Sequence, residues 1–120
     1  LQYGARRIGH GIAAIKDPAL LGACRNAHIG FELCPTSNFQ TKAATELDAY
    51  PLRAFLDFGL LATINTDNRT VSHTTLTDEY TFALEKLHIE KEDLRTLYKN
   101  SVEISFASDS VKHQLLYLLP

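Results

Sequence analysis

Apolar positions along the chain fall into two alternating patterns. Nearly continuous apolar runs at Ile29–Cys34 and Leu60–Asn65, bounded by glycine or proline, predict strands buried on both faces. Arg7–Gly11 is a third short extended candidate, with glycines on either side of His10. Between these runs apolar residues recur at helical spacing. Asp17 followed by Pro18 marks a helix start, and Leu20, Leu21, Cys24 and Ala27 form its stripe, with His28 near the end and Gly30 stopping it. Thr36 to Thr45 reads as a polar loop after Pro35 ends the second strand. Leu47, Pro51, Leu52, Phe55, Leu56 and Phe58 predict a further helix closed by Gly59. Thr66–Thr70 is a polar turn, and the remainder is helical. Thr75 or Thr77 caps a segment through Leu87, Glu90–Asp93 load acid onto the first turn of one running to about Phe106, and Ser108 or Ser110 opens a short last one.

Strand and helix in alternation mean an α/β fold with a parallel sheet, for which three strands are few. Leu1–Gly4 resembles the tail of a helix whose body is missing. Together they suggest a piece of a larger architecture, and the absence of any methionine at or after Leu1 reads as a processed or truncated product. A complete eight-stranded β/α barrel needs about 250 residues, so the 120 present exclude one within this chain. With 45% apolar and 22% charged residues the chain suits a packed core, not a disordered segment. A net charge of -2 offers no electrostatic footprint for nucleic acid or an anionic membrane. No apolar run approaches the ~20 residues of a membrane span, and the first residues carry no signal-peptide pattern. Cys24 and Cys34 cannot form a disulfide framework and read as reduced, partly buried thiols of a cytoplasmic protein.

Unusual polar residues gather at one kind of place. His10 follows the first strand, Pro35-Thr36-Ser37-Asn38 the second, and Asp67-Asn68 the third. These are carboxyl ends of strands, the edge where parallel α/β sheets and barrels place their active sites. Polar turns account for such residues as readily, with Asp67-Asn68 as a plain Asx turn, but the residue types favour a site. A carboxylate can ligate a metal, and a nearby imidazole can orient metal-bound water or stabilise developing charge. Glycine on both sides of His10 lets a ligand approach the backbone. His73, after the Asp67 turn, is a secondary candidate for the rim, whereas His88 and His113 fall on amphipathic helices facing solvent, and Cys34 reads as packing, not as a nucleophile. Dinucleotide, P-loop, GxSxG and HxE/PCxxC signatures are all absent.

Read in order, Arg7-Ile8-Gly9-His10-Gly11, Phe31-Glu32-Leu33-Cys34-Pro35-Thr36-Ser37-Asn38 and Ile64-Asn65-Thr66-Asp67-Asn68 resemble the C-terminal part of the adenosine deaminase family of metal-dependent amidohydrolases. Arg69-Thr70-Val71-Ser72 and Thr74–Tyr80 are most similar to bacterial members. The resemblance implies that residues 1–120 are the last three strands and C-terminal helices of a TIM-type (β/α)8 barrel. It implies zinc-dependent hydrolysis of adenosine to inosine and ammonia, with a purine nucleoside as the small-molecule partner. It makes Asp67 a zinc ligand that contacts the attacking water, and His10 the histidine that orients hydroxide and stabilises charge as it adds to purine C6. It places Asn68 against a purine ring nitrogen, where many members carry a second Asp, and Ser37 and Asn38 behind His10 as its supports. The family's HxH pair, third zinc histidine and proton-donating glutamate would lie upstream of Leu1, so the isolated chain is expected to be inactive and not to hold zinc alone. Alternatives are a segment of an adenine or modified-adenosine nucleotide deaminase, and a non-catalytic barrel fragment that self-associates through open sheet edges.

Overall fold

A computed structural model describes residues 2–119. The short Arg7–Gly11 candidate and the two apolar runs form strands β1 (Arg7–Gly9), β2 (Gly30–Leu33) and β3 (Leu61–Ile64), hydrogen-bonded in parallel in the order β1-β2-β3. Ile8, Phe31 and Ala62 stand in register, as do Gly9, Glu32 and Thr63, so successive side chains alternate between two faces. The Phe31 and Leu33 face meets the helices. Phe31 packs at 5.1 Å between ring centroids on Phe55, and Leu21, Cys24, Leu52, Ala83, Leu87 and Leu97 join them in the core.

Helix α1 (Pro18–Asn26) starts as expected, with the Asp17 carboxylate accepting from the Leu20 amide at 3.0 Å and Pro18 at its first position. Helix α5 (Leu76–Lys86) begins at Thr75, which with Asp78 forms a reciprocal capping box; the Thr75 hydroxyl and amide both donate to Asp78 Oδ2 and hold its carboxyl below its usual range. Helices α6 (Asp93–Ile104) and α7 (Asp109–Tyr117) complete the chain.

Several expectations change. The stretch read as polar loop opens with helix α2 (Pro35–Gln40): Pro35 ends the strand but also occupies the first position of a helix. Helix α3 is shorter than its apolar spacing suggested, Leu52–Asp57, and Leu47 is exposed. The turn after β3 contains one helical turn, α4 (Arg69–Ser72), capped by Asn68, and a 3-10 segment covers Ile12–Lys16. His88 lies past the end of α5, with φ 57° and its Nε2 2.9 Å from Asp48 Oδ1. Of the proposed N-terminal helix tail, Leu1 lies outside the described residues; Gln2 and Tyr3 form a turn, and Gly4 has φ 71°.

Gly11 and Gly30 are required by close approach. Gly11 has φ 67°, and a Cβ there would lie 2.8 Å from the Phe31 ring. A Cβ on Gly30 would meet the Ile104 side chain at 2.6 Å, so the end of α6 seats directly on β2. Along the outer side of β3 no further strand pairs among the described residues; instead Asn100 of α6 donates to the Ala62 carbonyl at 2.9 Å.

Candidate active site

All three strands deliver their polar residues to the same end of the sheet. His10 is tied to β2 by its amide, which donates to the Glu32 carbonyl at 2.9 Å. Asp67 follows β3, whose end is held by the Asn65 amide on the Leu33 carbonyl at 2.8 Å. Both residues adopt left-handed backbone conformations, φ 58° and 56°, at a cost of about 1 kcal/mol each. His28, Lys42, His73 and His88 share that conformation, so it does not by itself mark the site.

His10 Nε2 and Asp67 Oδ2 face each other at 3.7 Å, and each side chain is about two-fifths exposed. The distance exceeds a direct hydrogen bond and suits two groups that share one small oxygen species. Each is gripped from behind by one residue of α2. Ser37 Oγ donates to Asp67 Oδ2 at 2.8 Å, and the Asn38 amide nitrogen lies 3.0 Å from His10 Nδ1. Ser37 therefore serves Asp67 and not His10, the residue it was expected to support. A hundred degrees of helical turn separates neighbouring residues, so two consecutive side chains reach two different targets.

The chain of contacts continues inward. The Tyr50 hydroxyl donates to Asn38 Oδ1 at 2.9 Å, and burial pushes its phenol well above the usual range, which keeps it a donor. That bond turns the amide nitrogen of Asn38 toward His10. With Asn38 donating, Nδ1 of His10 is an acceptor and the ring proton sits on Nε2, toward Asp67. Asn68 has a structural task as well, since its Oδ1 accepts from the Val71 amide at 3.0 Å; the side-chain nitrogen makes no hydrogen bond among the described residues.

Cys34 lies below the site, and its thiol is pushed up from 9.0 to about 11. Burial is the main cause, the charges of Asp67 and Glu79 add to it, and a hydrogen bond from the Asp67 backbone opposes it. It is a protonated packing group at neutral pH, with no reactive thiolate. His73 caps α4 and lines a shallow recess with Arg69, Thr70, Thr74 and Thr75. An open groove of about 790 Å³ leads from Asp67 along the free side of β3, past Asn65, Tyr80, Tyr98 and Ser101.

Among the described residues no three His, Cys, Asp or Glu side chains converge as a metal site. Zinc needs three or four protein ligands, so these residues do not compose such a site by themselves. Asp67 fits as one member of a larger ligand set: Oδ2 is occupied by Ser37, while Oδ1 makes no hydrogen bond among the described residues.

Sequence reasoning missed Tyr50 and Glu79. Tyr50 had no local signal, whereas Glu79 stood as a carboxylate on the apolar stripe of Leu76, Tyr80, Ala83 and Leu87, and it is fully buried.

A family model described as adenosine deaminase matches residues 1–119. An adenosine deaminase of Shewanella woodyi is 47% identical over 115 residues, covering 96% of this chain and 35% of the relative. Among solved structures, the adenine deaminase of Arthrobacter aurescens superposes with a TM-score of 0.88 at 29% identity, over 93% of this chain and 34% of that one. The N6-methyl-AMP deaminase of Arabidopsis thaliana gives a TM-score of 0.81 at 28% identity, over 94% and 33%. The chain thus spans about a third of the length of the curated relatives it matches, and its three parallel strands with their helices are the C-terminal portion of such a barrel.

Proposed function

The chain belongs to the adenosine deaminase family, and from that premise we propose that residues 1–120 form one barrel segment that contributes His10 and Asp67 to a hydrolytic deaminase of adenosine. The observation that carries this reading is the pair itself. Two residues far apart in sequence face one another at 3.7 Å, each braced by a consecutive residue of one short helix.

Asp67 would hold one position of a zinc ion whose other ligands come from outside these residues. Zinc, when bound, supplies a water acidified toward a pKa of about 7. This chain's own side chains then orient and stabilise. Asp67 Oδ2, held by Ser37, accepts a hydrogen bond from the attacking oxygen species and fixes where it stands. His10 presents Nε2–H to the same species and stabilises negative charge as the oxygen adds to purine C6, a fixed dipole aimed where charge develops. Asn38 and Tyr50 keep the imidazole from rotating. The Asn68 side-chain nitrogen can donate to a ring nitrogen, a role open to an amide although an amide cannot take or give a proton there. The net reaction adds water, releases ammonia and leaves inosine.

In the complete barrel protein loaded with zinc, Asp67→Asn is expected to lower zinc content and turnover together. His10→Ala should lower kcat with zinc retained and KM for adenosine little changed, because its contact strengthens only as charge develops. Full turnover in either variant would remove that residue from the site. The close superposition on an adenine deaminase favours a second reading, in which the base without ribose is the substrate. Offering adenosine, adenine and N6-methyl-AMP side by side decides it, and kcat/KM highest for adenosine is the expected result.

A further inference from the structure

We propose that Glu79 is a positioning residue for this site: its buried carboxylate seats the first turn of α2 and, through that turn, aims Ser37 at Asp67 and Asn38 at His10. The inference rests on the deaminase reading above. Glu79 lies in α5 with no exposed surface. A carboxylate so placed is costly unless something repays its lost hydration. Its Oε2 accepts a single hydrogen bond, from the Thr36 amide at 3.1 Å, and Oε1 has no partner among the described residues. A packing role alone would be met more cheaply by an apolar side chain of similar volume.

Helix α2 explains the placement. Its six residues are too few to be stable alone. The residue before it, Cys34, provides no side-chain cap, and Pro35 has no amide to offer. Glu79 therefore does for the Thr36 amide what a capping side chain ordinarily does, from 43 residues away. At the far end Gln40 ties α2 to α4 through the Ser72 carbonyl at 3.0 Å, and Phe39 packs between Tyr50 and Phe82. Those contacts hold the helix in place, but the bond to Glu79 sits directly beside Ser37 and Asn38. Loss of it frees the turn that bears both braces, and small displacements of positioned groups cost rate more than they cost binding.

The test compares Glu79→Leu, which fills the volume without an acceptor, with Glu79→Gln, which keeps an acceptor of the same shape. In the complete zinc-loaded protein, E79L is expected to lower kcat by about 10–100-fold with KM for adenosine near the parent value, and E79Q to recover most of it. Independently of turnover, amide hydrogen exchange at residues 36–38 should accelerate in E79L and stay slow in E79Q. E79L with parental exchange and parental kcat overturns the proposal. So does an E79L whose activity falls only in proportion to its unfolded fraction. Should E79L fail to fold, E79Q decides: lost turnover with residues 36–38 still protected sinks the positioning role, and parental turnover with protection supports it. If the parent deaminates none of the purines offered, the deaminase reading fails, while the exchange data still report whether Glu79 holds α2.

Discussion

Replacing Tyr50 by Phe removes one oxygen and leaves the ring, so its effect isolates the hydroxyl. Tyr50 and Asn38 are 5% and 3% exposed, and the bond between them is 2.9 Å. The phenyl ring keeps its packing on Phe39, 5.5 Å between centroids, and no large cavity opens. The cost is the lost hydrogen bond together with a buried carbonyl oxygen left without its donor, about 1–3 kcal/mol. Unfolding entropy near 2.1 cal/mol/K per residue gives about 250 cal/mol/K for 120 residues. The midpoint should therefore drop by about 4–12 °C. A second consequence separates this from ordinary destabilisation. Without Tyr50 the Asn38 amide is free to turn and present its oxygen to His10 Nδ1. That arrangement moves the ring proton to Nδ1 and leaves a lone pair on Nε2 facing Asp67. Thermal melts measure the first effect, and nitrogen chemical shifts of the His10 imidazole measure the second. Y50F with an unchanged midpoint and an unchanged imidazole signature would refute the reasoning, since the hydroxyl would then be holding nothing.

The isolated 120-residue chain should take up zinc no better than an ordinary surface carboxylate does, because one ligand cannot hold the ion against water; stoichiometric zinc by metal analysis after dialysis would contradict this. Burial raises the Cys34 thiol from 9.0 to about 11, and a pKa raised by folding gives stability that is complete below the unfolded value and lost as pH climbs through the folded one. Urea midpoints should accordingly fall between about pH 9 and 11, with Cys34→Ala showing a shallower fall; equal slopes in the two proteins would count against it. Gly11→Ala combines a left-handed backbone with a 2.8 Å approach to Phe31, so it should destabilise by about 1–3 kcal/mol in chemical denaturation, and a neutral result would show that the loop relocates freely.

Much of this protein was legible without coordinates. The apolar runs at Ile29–Cys34 and Leu60–Asn65 became β2 and β3 almost at their predicted bounds, because a parallel strand covered on both faces must be apolar throughout. Asp17-Pro18 marks a helix start by local chemistry and holds in the structure, and of the two cap candidates Thr75 and Thr77 the structure selects Thr75. The sequence also placed His10 and Asp67 at the same edge, since consecutive parallel strands end on the same side.

The resemblance already put Ser37 and Asn38 behind that edge, but tertiary structure alone decided which group each one holds and what in turn holds them. Pro35 carries two local meanings, the end of a strand and the start of a helix, and only packing against α5 and α4 selects both at once. The six residues of α2 have too little internal bonding to announce themselves. Likewise Tyr50, Glu79 and the Ser37-Asn38 pair are separated by stretches with no shared periodicity, and their hydrogen bonds exist only once the core brings α2, the segment before α3, the end of β3 and α5 together. Periodicity and capping act over a few residues of chain, so sequence reports them directly. The orientation of an imidazole depends on groups arriving from elsewhere in the fold, and no local pattern encodes it.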